Sequence, residues 1–164
     1  MKENIKFSWK SFHELSNDEI YEILHLRQEV FVVEQNCPYL DADYCDQDAF
    51  HLIGRESNKL VAYMRAFGPK LKYVGSSLGR VVIKKEYRNK SLGKRLTNMG
   101  VAFLNDKFPN CEVVISAQYR LKDFYKKLGF TIRGKKYLED EIDHIQMYIS
   151  VSYTHLTLPT ISSV

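Results

Sequence analysis

Apolar positions along the chain switch between two spacings, and the switches mark its elements. Ile5, Phe7 and Trp9 alternate with polar residues, which predicts a short strand over Ile5 to Trp9. Ser16-Asn17-Asp18-Glu19 follows, a serine with a glutamate three positions on, the signature of a capping box at a helix start. Behind it Ile20, Ile23, Leu24, Arg27, Val30 and Phe31 fall at helical spacing, so a helix is expected to about Glu34. Residues 36 to 49 carry four aspartates and no apolar period, and read as a loop. His51 to Arg55 and Leu60 to Phe67 are strand-like runs joined by the polar turn Glu56 to Lys59, a predicted antiparallel hairpin. Leu78 to Ile83 predicts another strand. Leu92, Leu96, Met99, Val101, Phe103 and Leu104 give a helix to about Lys107, with Pro109 beyond its end. Glu112 to Gln118 has the short apolar run of a buried strand. Leu121 to Leu128 predicts a short helix stopped by Gly129. Phe130 to Lys135 and His144 to Ile149 form a last strand pair around an acidic loop, Glu139 to Asp143.

The predicted order is β-α-β-β-β, then α-β-α-β-β, with no internal repeat and no domain-sized break. It describes one α/β (α+β) domain, a mixed sheet with helices on its faces. The length, 164 residues, suits a single core, and 45% hydrophobic with 27% charged residues excludes disorder and fibre classes. No stretch approaches the roughly 20 apolar residues needed to span a bilayer, and residues 1 to 10 lack the apolar run of a signal peptide. Cys37, Cys45 and Cys111 are an odd count without CxxC spacing, which points to a reducing, cytoplasmic setting rather than a disulfide framework.

Charge adds one localised feature. Residues 84 to 95 (KKEYRNKSLGKR) hold six basic residues against one acid, a net +5, which leaves −1 for the rest of a chain of net charge +4. A single cationic patch calls for an anionic ligand and does not resemble the broad basic face of a nucleic-acid binder. The patch lies between a strand and a helix, where unpaired helix N–H groups and the helix dipole favour phosphate. Ser91 and Gly93 are small enough for close backbone approach, and Arg88, Lys90 and Lys94 add charge. The segment is not a P-loop, since Arg88 stands where that pattern needs glycine, and it contains no G-x-G-x-x-G.

Strand, then Arg88-Asn89-Lys90-Ser91-Leu92-Gly93-Lys94, then helix resembles the acyl-CoA pyrophosphate loop of the GCN5-related N-acetyltransferase (GNAT) superfamily. A strand ending Ser116-Ala117-Gln118, with Phe124-Tyr125-Lys126-Lys127-Leu128-Gly129-Phe130 on the next helix, resembles the family's later CoA-side motif. Leu26 to Gln35, the run Asp43, Asp46, His51-Leu52, Gly79-Arg80-Val81-Val82, and Glu139-Asp140 with His144-Ile145 resemble its ElaA-like branch. The resemblance spans about residues 7 to 149. Two departures stand out: Ser91 replaces the loop's usual first glycine, and Glu141 and Asp143 stand where the branch often has glycine and proline.

The resemblance implies a mostly antiparallel sheet whose parallel strands, Leu78–Ile83 and Glu112–Gln118, splay to hold acetyl-CoA as acyl donor. It implies that backbone groups of Val81, Val82 and Ile83 pair with the pantetheine arm. Residues Arg88, Asn89, Lys90, Ser91, Leu92, Gly93 and Lys94 would hold the pyrophosphate, with Gln118 and Tyr125 on the donor side. A small-molecule or lysine-like amine would attack the thioester directly, with Tyr125 protonating the leaving thiolate. Glu34 is the first candidate base and His51 another, with Asp43, Asp46 and Asp48 near them. Arg65 and Arg80, inside strands, are expected to pair with these carboxylates. Cys37, Cys45 and His51 fit no common zinc spacing, and no metal is expected. A CoA-binding domain that has lost catalysis would carry the same loop. Residues 151 to 164 (VSYTHLTLPTISSV) contain no Asp, Glu, Lys or Arg. Val151 to Thr160 resembles a translated transposon-type sequencing adapter, so residues 1–150 are expected to be the working domain and 151–164 a non-native tail.

Overall fold

A computed structural model of the chain describes residues 4–88 and 91–150. The expected non-native tail and the loop residues Asn89 and Lys90 lie outside the described residues. Seven strands form one sheet in the order β1-β2-β3-β4-β5-β7-β6. They are β1 (Ile5–Ser11), β2 (Phe50–Glu56), β3 (Lys59–Phe67), β4 (Ser76–Ile83), β5 (Val113–Gln118), β6 (Thr131–Glu139) and β7 (Ile142–Ile149). Pairing is antiparallel for β1/β2, β2/β3, β5/β7 and β6/β7 and parallel for β4/β5, the mixed sheet expected from the sequence. Among the described residues no helix is long and apolar enough to cross a membrane.

Backbone proximity divides the chain into two compact units, Met1–Ala66 with Gly79–Thr97, and Phe67–Leu78 with Asn98–Val164. In the first unit, α1 (Asn17–Arg27) starts as its sequence predicts. Ser16 Oγ accepts from Glu19 N at 3.1 Å, and Glu19 Oε1 accepts from Ser16 N at 2.9 Å. The predicted helix does run to Glu34, but its last turns, Gln28–Glu34, are π-helical. Gln35 N bonds Val30 O and Cys37 N bonds Val32 O, each five residues back. Apolar spacing over seven residues does not separate α from π winding. The inward face of α1 and the π segment buries Ile23, Leu26 and Val30 against Ile53, Leu60, Tyr63 and Val82 of the sheet. At the β1/β2 pair, Phe7 faces Gly54, and a Cβ there would meet the ring at 2.7 Å, so only glycine fits.

The second unit contains β5, β6, β7 and α3 (Lys122–Lys127), which is shorter than the predicted Leu121–Leu128 because a 3₁₀ turn, Tyr119–Leu121, precedes it. The 16-residue α2 (Leu92–Lys107) begins in the first unit and ends in the second. The expected acidic loop Glu139–Asp143 is a correction. The strands continue to Glu139 and restart at Ile142, paired Glu139↔Ile142, Leu138↔Asp143 and Tyr137↔His144. Only Asp140 and Glu141 turn, both left-handed (φ 50° and 63°), as in a two-residue type I′ hairpin. The turn lacks the glycine by which such hairpins are recognised in sequence.

Candidate functional site

Strand β4 carries the first irregularity of the site. Arg80 lies inside the strand at φ 51°, a left-handed conformation unusual for a non-glycine residue. Its side chain explains how the backbone is held: Nε donates to Asp41 Oδ1 at 2.7 Å and Nη2 to Asp41 O at 2.9 Å. The distortion comes directly before Val81, Val82 and Ile83, of which Val82 is buried and its neighbours half-buried. The parallel register pairs Ser76 with Val113 and Ser77 with Val114, and β4 runs on to Ile83 and β5 to Gln118.

The chain then enters the basic loop. Lys84 N bonds Val61 O at 2.8 Å, and Tyr87 OH donates to Glu56 at 2.9 Å. Arg88 Nε donates to Ile83 O at 3.0 Å, and its two terminal nitrogens reach Glu34 at 2.5 and 3.1 Å. Ser91 adopts φ 58°, the conformation that glycine would take without strain, and its carbonyl accepts from Arg95 N at 3.1 Å as α2 begins. The first-turn N–H groups of α2, including those of Gly93 and Lys94, have no partner within the helix, and the dipole adds positive potential there.

Glu34 and Arg88, named separately from sequence, are thus brought together. Arg88, bonded to it, holds the Glu34 carboxyl below the usual carboxylate range, with burial opposing only in part. Glu34, the first candidate base, thus has its charge engaged by Arg88. The same pair removes the Arg88 guanidinium from the loop's free cations.

The aspartate loop closes on a buried ionic cluster. Arg27, fully buried, donates to Asp41 Oδ2 at 2.7 Å and to Asp46 Oδ1 at 2.7 Å. Arg65 donates to Asp43 at 2.6 and 2.9 Å and to Asp46 at 2.8 Å. Burial works to raise Asp43 and Asp46, yet the bonded arginines hold both below the usual range. The pairing expected of Arg65 and Arg80 is therefore present, while Asp43 and Asp46 are spent on arginines. His51 is 1% exposed. Its Nδ1 accepts from Tyr63 OH at 2.6 Å and its Nε2 donates to Asp46 O at 2.9 Å. Burial, followed by the charges of Arg27 and Arg65, lowers its proton affinity. His51, the other candidate base, has both ring nitrogens occupied inside the fold. A cavity of about 410 Å³ adjoins the cluster, lined by Phe12, Ile23, Leu40, Tyr44 and the mutually engaged Arg27, Asp46 and His51.

In the second unit Tyr125 is half-buried on α3, edge-on to Phe124 (5.1 Å) and Phe130 (5.7 Å). Among the described residues its hydroxyl has no hydrogen-bond partner. Burial pushes the phenol up to about 12, with Arg120 opposing, so it keeps its proton at neutral pH. Gln118 ends β5 and accepts from Arg120 Nε at 3.1 Å.

Sequence reasoning named Ser116, Glu139 and His144 as parts of separate motifs and did not bring them together, with Tyr137, as one group. Ser116 Oγ contacts Tyr137 OH and donates to Glu139 Oε1 at 3.3 Å. His144 Nε2 lies 3.4 Å from Glu139 Oε2, and its Nδ1 donates to Ile142 O at 2.7 Å. Its ring stacks on Tyr137 at 6.2 Å. The signal available was Tyr137 and His144, equidistant from the Asp140-Glu141 turn.

Comparison with known proteins agrees with this geometry. A family model described as an acetyltransferase (GNAT) domain matches residues 13–151. A UPF0039 protein of Synechocystis is 41% identical over 148 residues, covering 90% of this chain and 96% of that protein. Protein ElaA of Escherichia coli is 36% identical over 143 residues, covering 85% and 94%. Among solved structures, an acyl-CoA N-acyltransferase from Pseudomonas aeruginosa superposes with a TM-score of 0.86 at 34% identity, covering 90% of this chain and all of that one. Escherichia coli ElaA superposes with a TM-score of 0.83 at 34% identity, covering 89% and 99%.

Proposed function

The chain belongs to the GNAT acetyltransferase family and is an acyltransferase, and from that premise we propose that it moves an acetyl group from acetyl-CoA to an amine by direct attack in a ternary complex. The main support is the junction of β4 with α2. A strand with one left-handed residue, Arg80, leads into a basic loop whose last residue, Ser91, is also left-handed before a helix N-terminus. Such a terminus binds phosphate through backbone N–H groups. Since Arg88 is tied to Glu34, the pyrophosphate is held by the backbone of residues 89 to 94 and by the charge of Lys94 and Lys90. The backbone of Val81 to Ile83 pairs with the pantetheine arm. A backbone N–H near Val82 donates to the thioester oxygen and stabilises the developing oxyanion.

The chemistry needs a neutral amine, whereas a lysine-type amine has a pKa of about 10.4. Deprotonation leaves the nitrogen lone pair free to attack. The C–N bond forms, the C–S bond breaks, and the thiolate takes a proton from Tyr125, which regains one from solvent. A phenol that stays protonated at neutral pH suits that role. Free cysteines and the use of acetyl-CoA favour a cytoplasmic enzyme.

Thermal unfolding with and without acetyl-CoA, then an amine panel followed by thiol release, tests the proposal. A shift in Tm with turnover is expected. A shift without turnover favours the catalytically silent CoA sensor, and no shift refutes both. Tyr125→Phe should lower kcat by about 100-fold or more while leaving the acetyl-CoA Kd unchanged; an unchanged kcat removes Tyr125 from the mechanism.

A further inference from the structure

The group around Glu139 has no part in the chemistry described so far, yet it lies on the strand assigned to the acyl donor. His144 pairs across the ladder with Gln118 on one side and Tyr137 on the other. Ser116 is two residues before Gln118 on β5. Unlike Glu34, Asp41, Asp43 and Asp46 of the first unit, Glu139 pairs with no arginine among the described residues, and 48% of its side chain is exposed. It is nevertheless oriented, with one oxygen receiving the Ser116 hydroxyl and the other facing His144.

We propose that Glu139, held between the Ser116 hydroxyl and the His144 imidazole, docks the cationic amine of the acceptor and takes its proton, with His144 as the group that stores it. This rests on the acetyltransferase function proposed above. His144 Nδ1 is committed as a donor to Ile142 O, so in the neutral ring Nε2 presents a lone pair to the Glu139 carboxylate at 3.4 Å. One proton placed between these atoms converts two facing lone pairs into an N–H···O bond. An ammonium bound at the outer side of Glu139 supplies that proton through the carboxylate. R–NH₃⁺ becomes R–NH₂, and the neutral imidazole becomes imidazolium beside a carboxylate. The free amine then attacks the thioester, its remaining excess proton passes to solvent, and His144 releases the stored proton after the product leaves.

The surroundings fit this assignment. Tyr137 is raised by burial and by the Glu139 charge, with the Ser116 bond opposing. Tyr73 is raised by burial, then by Tyr137 and Glu139. Both phenols therefore keep their protons near the carboxylate. Lys136, on the same hairpin, pairs with Asp143 at 3.6 Å.

The experiment uses the full chain, with spermidine and Nα-acetyl-lysine amide as acceptors. Glu139→Gln should lower kcat/KM by about 100-fold or more with an unchanged acetyl-CoA Kd. Glu139→Asp should recover part of that loss, and His144→Asn should lower kcat with little change in amine KM. Full activity in Glu139→Gln overturns the assignment. A second readout is independent of turnover: spermidine added to the protein should shift the His144 imidazole NMR signals in the wild type and not in Glu139→Gln. Absence of that shift in the wild type also overturns it. If acetyl-CoA fails to bind the wild type, acetyl transfer itself is refuted, and the spermidine titration still decides whether Glu139 and His144 form an amine site.

Discussion

Arg27 and Glu139 sit at the centres of two polar groups, one in each compact unit, that are built to opposite specifications. Around Arg27, three arginines and three aspartates bond one another, and each aspartate oxygen that Arg65 touches also accepts from a second donor. Around Glu139, an imidazole, a hydroxyl and a phenol are ordered about a carboxylate, and the imidazole is buried while the carboxylate is half open to solvent. Buried charge survives only when fully paired, and full pairing leaves nothing to offer a substrate. Charge that does chemistry must keep one face unspent. The sequence ranks these groups in the reverse order, because four aspartates and a histidine in one loop look more reactive than a lone glutamate at a hairpin end.

The largest expected effect breaks the saturated group. Arg27→Leu takes from Asp41 and Asp46 one of the two arginines that each pairs with, leaving Arg80 and Arg65, and should cost about 3–5 kcal/mol, read by urea unfolding. A loss below about 1 kcal/mol would mean that the cluster is no scaffold. A smaller effect concerns acid. Asp43 and Asp46 have folded-state pKa values depressed by arginine against the pull of burial. Their stabilisation is therefore complete above the unfolded carboxylate range and is lost as pH falls below about 4 toward their folded values. Asp43→Asn should remove roughly 2 kcal/mol at neutral pH and flatten the dependence of stability on pH below 4. An unchanged acid limb would show that Asp43 contributes nothing through its charge. The smallest effect is expected at the open group, where Glu139→Gln should change stability by no more than about 0.5 kcal/mol. A large loss of stability there would make Glu139 structural and erase the contrast.

Much of the fold is legible in the chain because its signals are local. The Ser16–Glu19 capping box, the alternation through β1 and the two-residue link between β2 and β3 are each contained within a few residues. The β4-to-α2 loop was visible for the same reason, as a run of charge between two periodic segments. What escaped is non-local or lacks a pattern. Glu34 and Arg88 are 54 positions apart, and Arg80 and Asp41 39 apart, so their bonds do not appear in any window of sequence. The left-handed turn at Arg80 has no glycine to announce it. β6 extends to Glu139 through exposed, charged residues with no apolar alternation, so its end reads as loop and the cross-strand contacts of Glu139 and Tyr137 with His144 do not show in the sequence.

The left-handed residue in β4 also ties the shape of that strand to a distant loop. A non-glycine residue keeps such a conformation only where its surroundings hold it there. At Arg80 they include Asp41, whose carboxylate and carbonyl accept from Nε and Nη2. The backbone just before Val81 is therefore shaped by a residue 39 positions earlier in the chain. The aspartate loop serves β4 as an external splint, and a change in that loop would be felt in the strand.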